Sequence, residues 1–208
     1  MMKRKCRCLT GAVALAVMFV SGCAGKSPPV AYYTLGIDAS VTQPGAAGTA
    51  CSDKRIGVGP VSWPRYLDQP RIVTRSGPNT LDFDEFHRWG GSLEDDFERV
   101  LKKNLSVLLP SSKIADFRST RRFKPDYRVE LEISQFDGQF GGEVILDVGW
   151  ILIAQETGKV LGLHDSMLSQ QVSGQDYEAL VHASSVVVAG LSGEIAAELL
   201  KVCSADSD

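Results

Sequence analysis

Apolar and polar side chains alternate without a break from Tyr127 to Ser134. That period of two predicts a half-buried strand, dry on one face and wet on the other. Residues 143–155 carry apolar side chains at both parities, with Val144, Leu146, Val148, Trp150 and Leu152 against Ile145, Ile151 and Ile153. They predict a central strand with apolar residues on both faces. Glu156-Thr157-Gly158-Lys159 reads as a hairpin turn with Gly158 at the left-handed position, and residues 160–172 return as the third strand of a meander. Shorter strands are predicted over 31–37, 55–61, 71–75 and 80–83, the last two joined by a turn at Ser76-Gly77-Pro78-Asn79. The 55–61 strand is expected to be central and to end at Trp63-Pro64.

Two segments change to the helical period. Ser92-Leu93-Glu94-Asp95 resembles a capping box, with Asp95 where Glu or Gln is usual. Leu93, Phe97, Val100, Leu101, Leu105 and Leu108 then fall on one face, and Pro110 ends the helix. Residues 176–202 predict a longer helix. Its small residues Ala189, Gly190, Ser192 and Gly193 are consistent either with close packing or with a kink. Strands, helix, meander and long helix together predict an α/β fold. We expect a single-domain sandwich with a mixed or mostly antiparallel sheet covered by amphipathic helices on one or both faces.

The N-terminal end has a different pattern. Lys3, Arg4, Lys5 and Arg7 precede an uncharged, mainly apolar run from Leu9 to Val20. Such a run is too short to cross a bilayer as a helix, which takes about 20 residues, and suits the apolar region of a signal peptide. It closes on Val20-Ser21-Gly22-Cys23, the pattern of a bacterial lipobox. The expectation is a signal peptide over 1–22, cleavage before Cys23, and a thiol carrying diacylglycerol with an N-acyl chain. The alternatives are an ordinary signal peptide with a chance cysteine, or an N-terminal anchor. The layout is then a lipidated tether over 23–30, one domain over 31–203 and a tail over 204–208. Ala24, where Asp would favour inner-membrane retention in enterobacteria-like sorting, points to the outer membrane, periplasmic face. Losing four basic residues and no acid takes the net charge from −3 to −7. An acidic body is a poor match for phosphate backbones, so no nucleic-acid partner is expected. Membrane attachment would come from the acyl chains.

No catalytic constellation and no metal set is legible. His87, His164 and His182 lack metal-ligand spacing, and no Gly-x-Ser-x-Gly elbow occurs. Gly57-Val58-Gly59-Pro60 lacks the rest of a phosphate loop and reads as close strand packing, and Glu94-Asp95-Asp96 suits a helix first turn without any cation. No cofactor is expected beyond the covalent lipid. Trp63, Arg65, Tyr66 and Leu67 place aromatic, cationic and apolar side chains on a loop, the types enriched at interface centres. The other reading folds Trp63 and Tyr66 back into the core. Trp89 either packs the start of the first helix or meets a partner. Cys51 and Cys203 are the cysteines left once the leader is gone and Cys23 is acylated. They form a disulfide or remain two free thiols.

Taken in order, the lipobox, Tyr32-Tyr33-Thr34-Leu35, the Ile56-to-Asp68 stretch with Pro64-Arg65-Tyr66-Leu67-Asp68, the Arg71–Arg75 strand and Arg88-Trp89 before an amphipathic helix resemble a known family. The chain is similar to the PqiC/YmbA-like auxiliary lipoproteins of ABC-type transport systems, over nearly all of its mature length. Trp89-Gly90-Gly91-Ser92 departs from the family's usual Trp-Ala-Glu-Pro-like continuation. The resemblance implies a non-catalytic role in envelope lipid transport and in membrane integrity. It implies attachment to the inner leaflet of the outer membrane, an MCE-domain partner that spans the periplasm, and assembly as a ring. A structural or assembly lipoprotein of another envelope machine is the alternative, and a periplasmic hydrolase a more remote one.

Overall fold

The computed structural model describes residues 28–42, 51–110, 112–117 and 124–206. Cys23, the leader and most of the tether lie outside them. Among the described residues, eight strands form one mixed sheet. They are β1 (Ala31–Tyr33), β2 (Arg55–Ser62), β3 (Arg71–Gly77), β4 (Thr80–Trp89), β5 (Lys113–Asp116), β6 (Tyr127–Gly138), β7 (Glu143–Ala154) and β8 (Lys159–Gln171). The described residues also form two α-helices, α1 (Leu93–Leu108) and α2 (Tyr177–Ala205). The expected α/β single domain is therefore observed.

β6 is the spine. β7 pairs with it antiparallel along its length, and β8 follows on β7 as the far strand of the meander. The other edge of β6 is shared. Its N-terminal half takes β2 in parallel, with β5 beyond, and its C-terminal end meets β3, which leads to β4 and β1. The alternation seen in the sequence decides which side faces inward. Tyr127, Val129, Leu131 and Ile133 are buried, as are Val144, Leu146, Val148, Trp150 and Leu152 of β7. A register shift between Ile133 and Gln135 then resets the parity, so that Phe136 points inward.

Both helices pack on one face and touch each other, α1 over β2 and β5 and α2 over β6, β7 and β8. No helix covers the opposite face of the meander among the described residues. α1 begins as the sequence predicts, with the Ser92 hydroxyl accepting from the Asp95 amide. α2 is one continuous helix capped by Asp176. Gly190 sits against Leu168, where an added Cβ would approach Leu168 Cδ2 to 2.6 Å. The missing Cβ therefore allows close contact with β8, and the helix runs on through it.

Several boundaries differ from the sequence reading. β1 is only three residues long, because after Tyr33 the chain leaves the sheet to lie along the helices. β4 continues to Trp89 instead of stopping at Phe83, past a turn in which the Asp84 carboxylate accepts from the Phe86 and His87 amides. That turn erases the period of two. β5 and a short 3-10 helix at Arg65–Leu67 were not predicted. Gly158 does take a left-handed conformation, with φ of 68°.

Candidate functional site

The 63–68 loop leaves β2 at the end of the sheet, and its aromatic members turn inward. Trp63 packs edge-on against Phe97 of α1, ring centres 5.2 Å apart, and also against Phe136. Leu67 is buried. The Tyr66 hydroxyl donates to Asp137 Oδ2 at 2.8 Å and accepts from the Phe136 amide at 3.3 Å. Arg65 remains exposed, together with Asp68. The geometry thus matches the folded-back reading for Trp63 and Tyr66, also buries Leu67 against the expectation of an interface residue, and leaves Arg65 exposed. Trp89 is buried at the end of β4, its amide donating to Pro70. It packs the entry to α1 and offers no accessible ring.

Asp137 organises this end of the molecule. Its side chain is fully buried and binds Arg75 through two N–H bonds of 2.8 Å, one to each carboxylate oxygen. Gln135 adds a bond of 2.9 Å. Burial pushes the Asp137 carboxyl upward, but the hydrogen bonds from Arg75, Tyr66 and Gln135 outweigh it and hold the group below the usual carboxylate range. Burial, reinforced by the bond to Asp137, raises the Tyr66 phenol well above its ordinary value. The cluster therefore stays fixed in charge at neutral pH and pins the loop to β3 and β6.

A second clamp holds the N-terminal segment. Asp96, in the first turn of α1, accepts from the Thr34 hydroxyl at 2.9 Å and from the Leu35 amide at 2.5 Å. Arg99 pairs with Asp96 and donates to the Leu35 carbonyl at 2.8 Å. The Gly36 amide donates to Ser185 of α2 at 3.0 Å, and Leu35 is buried between the helices. Residues 34–36 form a strap across the helix layer, so the chain reaching back toward Cys23 leaves from a fixed point. At the other end, Cys51 and Cys203 are joined by a disulfide with Cα atoms 5.2 Å apart. It ties the end of α2 to the approach to β2.

The histidines sit in structural settings. His87 stacks on Tyr177 at 3.9 Å and meets the Tyr33 hydroxyl through Nδ1 at 2.8 Å. The Tyr177 phenol is pushed up to about 12 by burial and by Asp84. His164 stacks on Trp150 at 4.0 Å, and His182 is exposed on α2. No group of three His, Cys, Asp or Glu side chains among the described residues could hold a metal ion. No helix among them is long and apolar enough to cross a membrane. Sequence reading gave Asp96 only as a first-turn acid and missed the roles of Arg75 and Asp137. An isolated acid or arginine carries no signal for a partner that lies 62 residues away, as in the Arg75–Asp137 pair.

A family model described as "ABC-type transport auxiliary lipoprotein component" matches residues 33–196. The intermembrane transport lipoprotein PqiC of Escherichia coli K12 is 26% identical over 141 residues, spanning 67% of this chain and 72% of the relative. The Shigella flexneri protein of the same name matches to the same extent. Among solved structures, a DUF330-family protein from Xanthomonas campestris has a TM-score of 0.71 at 17% identity, over 86% of this chain and 99% of that one. An uncharacterized protein has a TM-score of 0.68 at 20% identity, over 83% and 99%. Both likenesses establish a shared fold.

Proposed function

Because the chain belongs to the family of ABC-type transport auxiliary lipoprotein components, we propose that it is a non-catalytic subunit of an envelope lipid transport system. In this reading Cys23 is acylated and holds the domain at the periplasmic face of the outer membrane. The body docks an MCE-domain protein that spans the periplasm. One observation carries the reading: the strap at Thr34–Gly36 is clamped by Asp96, Arg99 and Ser185. Clamping the residues that follow a tether has little value for a freely diffusing enzyme. It fixes the body's position relative to its anchor, as a docking subunit requires. The exposed Arg65, held on a loop buttressed by Trp63, Tyr66 and Leu67, supports one such contact.

The test is co-purification from envelopes. A tagged full-length protein should recover an MCE-domain protein, and Cys23→Ala should move the chain from the membrane to the soluble fraction. Arg65→Glu should lower recovery without altering the fold. Intact mass of the mature N-terminus would show the two expected modifications, diacylglycerol and N-acyl, on Cys23. An unacylated N-terminus, or envelopes in which no MCE protein accompanies the wild-type chain, would refute the reading.

A further inference from the structure

Among the described residues no helix covers one face of the meander, and its side chains fall in rows fixed by the register. Leu163 lies beside Ile151 and Glu130, Asp165 beside Gly149 and Glu132, and Met167 beside Asp147 and Gln135. Trp150 and His164 point the other way, toward α2, since His164 Nε2 lies 3.9 Å from Glu198. Leu163 and Met167 are 76% and 75% exposed, on the outermost strand of the meander. Long apolar side chains on a sheet edge are an association hazard unless something covers them. Between the rows runs a groove of about 580 Å³, lined among others by Pro60, Glu130, Glu132, Ile151, Leu163 and Asp165. Gly149 contributes no side chain to its floor.

Among the described residues the charge on this face is mainly acidic. Glu130 pairs with Arg128 at 2.5 Å. Glu132, Asp147 and Asp165 have no hydrogen bond or ion pair among the described residues. Three uncompensated carboxylates therefore flank an apolar strip. A lysine or arginine matches that combination, its aliphatic stem lying on the apolar floor and its charged head reaching the acids. An anionic bilayer is repelled by the same carboxylates. A second copy apposing this same face across a two-fold axis would bring like charges together.

We infer that the open face over Gly149 is a docking groove for a protein segment carrying basic side chains next to apolar ones. The inference rests on the docking reading above and adds a second surface to it. Electrostatic matching of this kind speeds encounter and excludes wrong partners, and it is sensitive to salt.

A labelled ten-residue peptide of alternating lysine and leucine, titrated into the full-length protein in non-ionic detergent and followed by fluorescence anisotropy, tests it. The peptide should bind, its affinity should fall steeply with added salt, and the glutamate–leucine counterpart should not bind. Glu132→Gln with Asp165→Asn should weaken binding at least tenfold, as should Leu163→Ser, while Glu156→Gln in the exposed hairpin turn should not. Equal binding of the two peptides, or unchanged affinity in the Glu132/Asp165 variant, would overturn the inference. So would a shift in sedimenting mass on Leu163→Ser, which points to a second copy. Loss of pelleting with phosphatidylglycerol vesicles in that variant would also overturn it, since it points to lipid. If the peptide results hold while no MCE protein is recovered from envelopes, the docking partner proposed above is wrong and the groove stands.

Discussion

Replacing Asp137 with alanine is the sharpest test of how this fold is held. The carboxylate is fully buried and accepts four hydrogen bonds, two from Arg75, one from Tyr66 and one from Gln135. Removing one partner of a buried ion pair typically costs about 3–5 kcal/mol, because the other charge is stranded. Arg75 is 26% exposed and also donates to the Pro78 carbonyl, so it keeps some solvent and one alternative bond. That lowers the expected loss to about 2–3 kcal/mol, or about 5–10 °C in Tm for a domain of this size. Asp137→Asn keeps the shape and should lose less. The assay is urea unfolding of the purified protein across pH. The carboxyl is held below its unfolded value, so its contribution is complete above the unfolded pKa and lost as pH falls through the folded one. The gap between wild type and Asp137→Asn should therefore be flat at neutral pH and close toward acid. A double-mutant cycle with Arg75→Met should give a coupling of about 1–2 kcal/mol. A loss below about 0.5 kcal/mol for Asp137→Ala, or a gap that widens in acid, would refute the reasoning.

Other expectations concern the joints of the fold. The bridge between Cys51 and Cys203 closes a separation of 152 residues, for which loop entropy gives a ceiling of about 5 kcal/mol. The Cys51→Ala/Cys203→Ala chain should unfold at clearly lower urea, and thiol titration of the denatured, unreduced protein should find neither cysteine free. Gly138→Ala places a Cβ 2.7 Å from Val144 Cγ2 and 3.0 Å from its Cα, so it should destabilise by about 1–3 kcal/mol in the same unfolding assay. Asp96→Ala releases the Thr34 hydroxyl and the Leu35 amide. Hydrogen exchange should then rise at residues 34–36 and leave the β6–β7 ladder unchanged.

What the sequence discloses depends on how local the cause is. The meander is legible because β6 alternates over eight residues, β7 is a long run of apolar side chains and Gly158 marks the turn to β8, and α1 is legible because Ser92 caps it and its apolar positions share one face. β5 is not legible. Its four residues form a strand because the edge of β2 offers a register from Arg55 to Val58. The extension of β4 to Trp89 is hidden by the Asp84 turn, which breaks the alternation in its middle. The loop at Trp63–Leu67 shows the limit most clearly. Aromatic and arginine side chains serve an interface or a core equally well, and only Phe97 and Asp137, supplied by distant parts of the chain, decide that Trp63 and Tyr66 turn inward. The bare face of the meander was within reach, since Leu163, Asp165 and Met167 share a parity in β8, but its neighbours on β6 and β7 follow only from the register.

The covalent ring closed by Cys51 and Cys203 has a topological consequence. Every peptide bond between those two residues lies inside it, and everything N-terminal to Cys51, β1 included, hangs outside. A protease that nicks the body anywhere within the ring turns a loop into two arms and sheds no fragment. If Cys23 is acylated as proposed, release of the domain takes a cut upstream of Cys51, and a molecule nicked within the ring stays at the membrane.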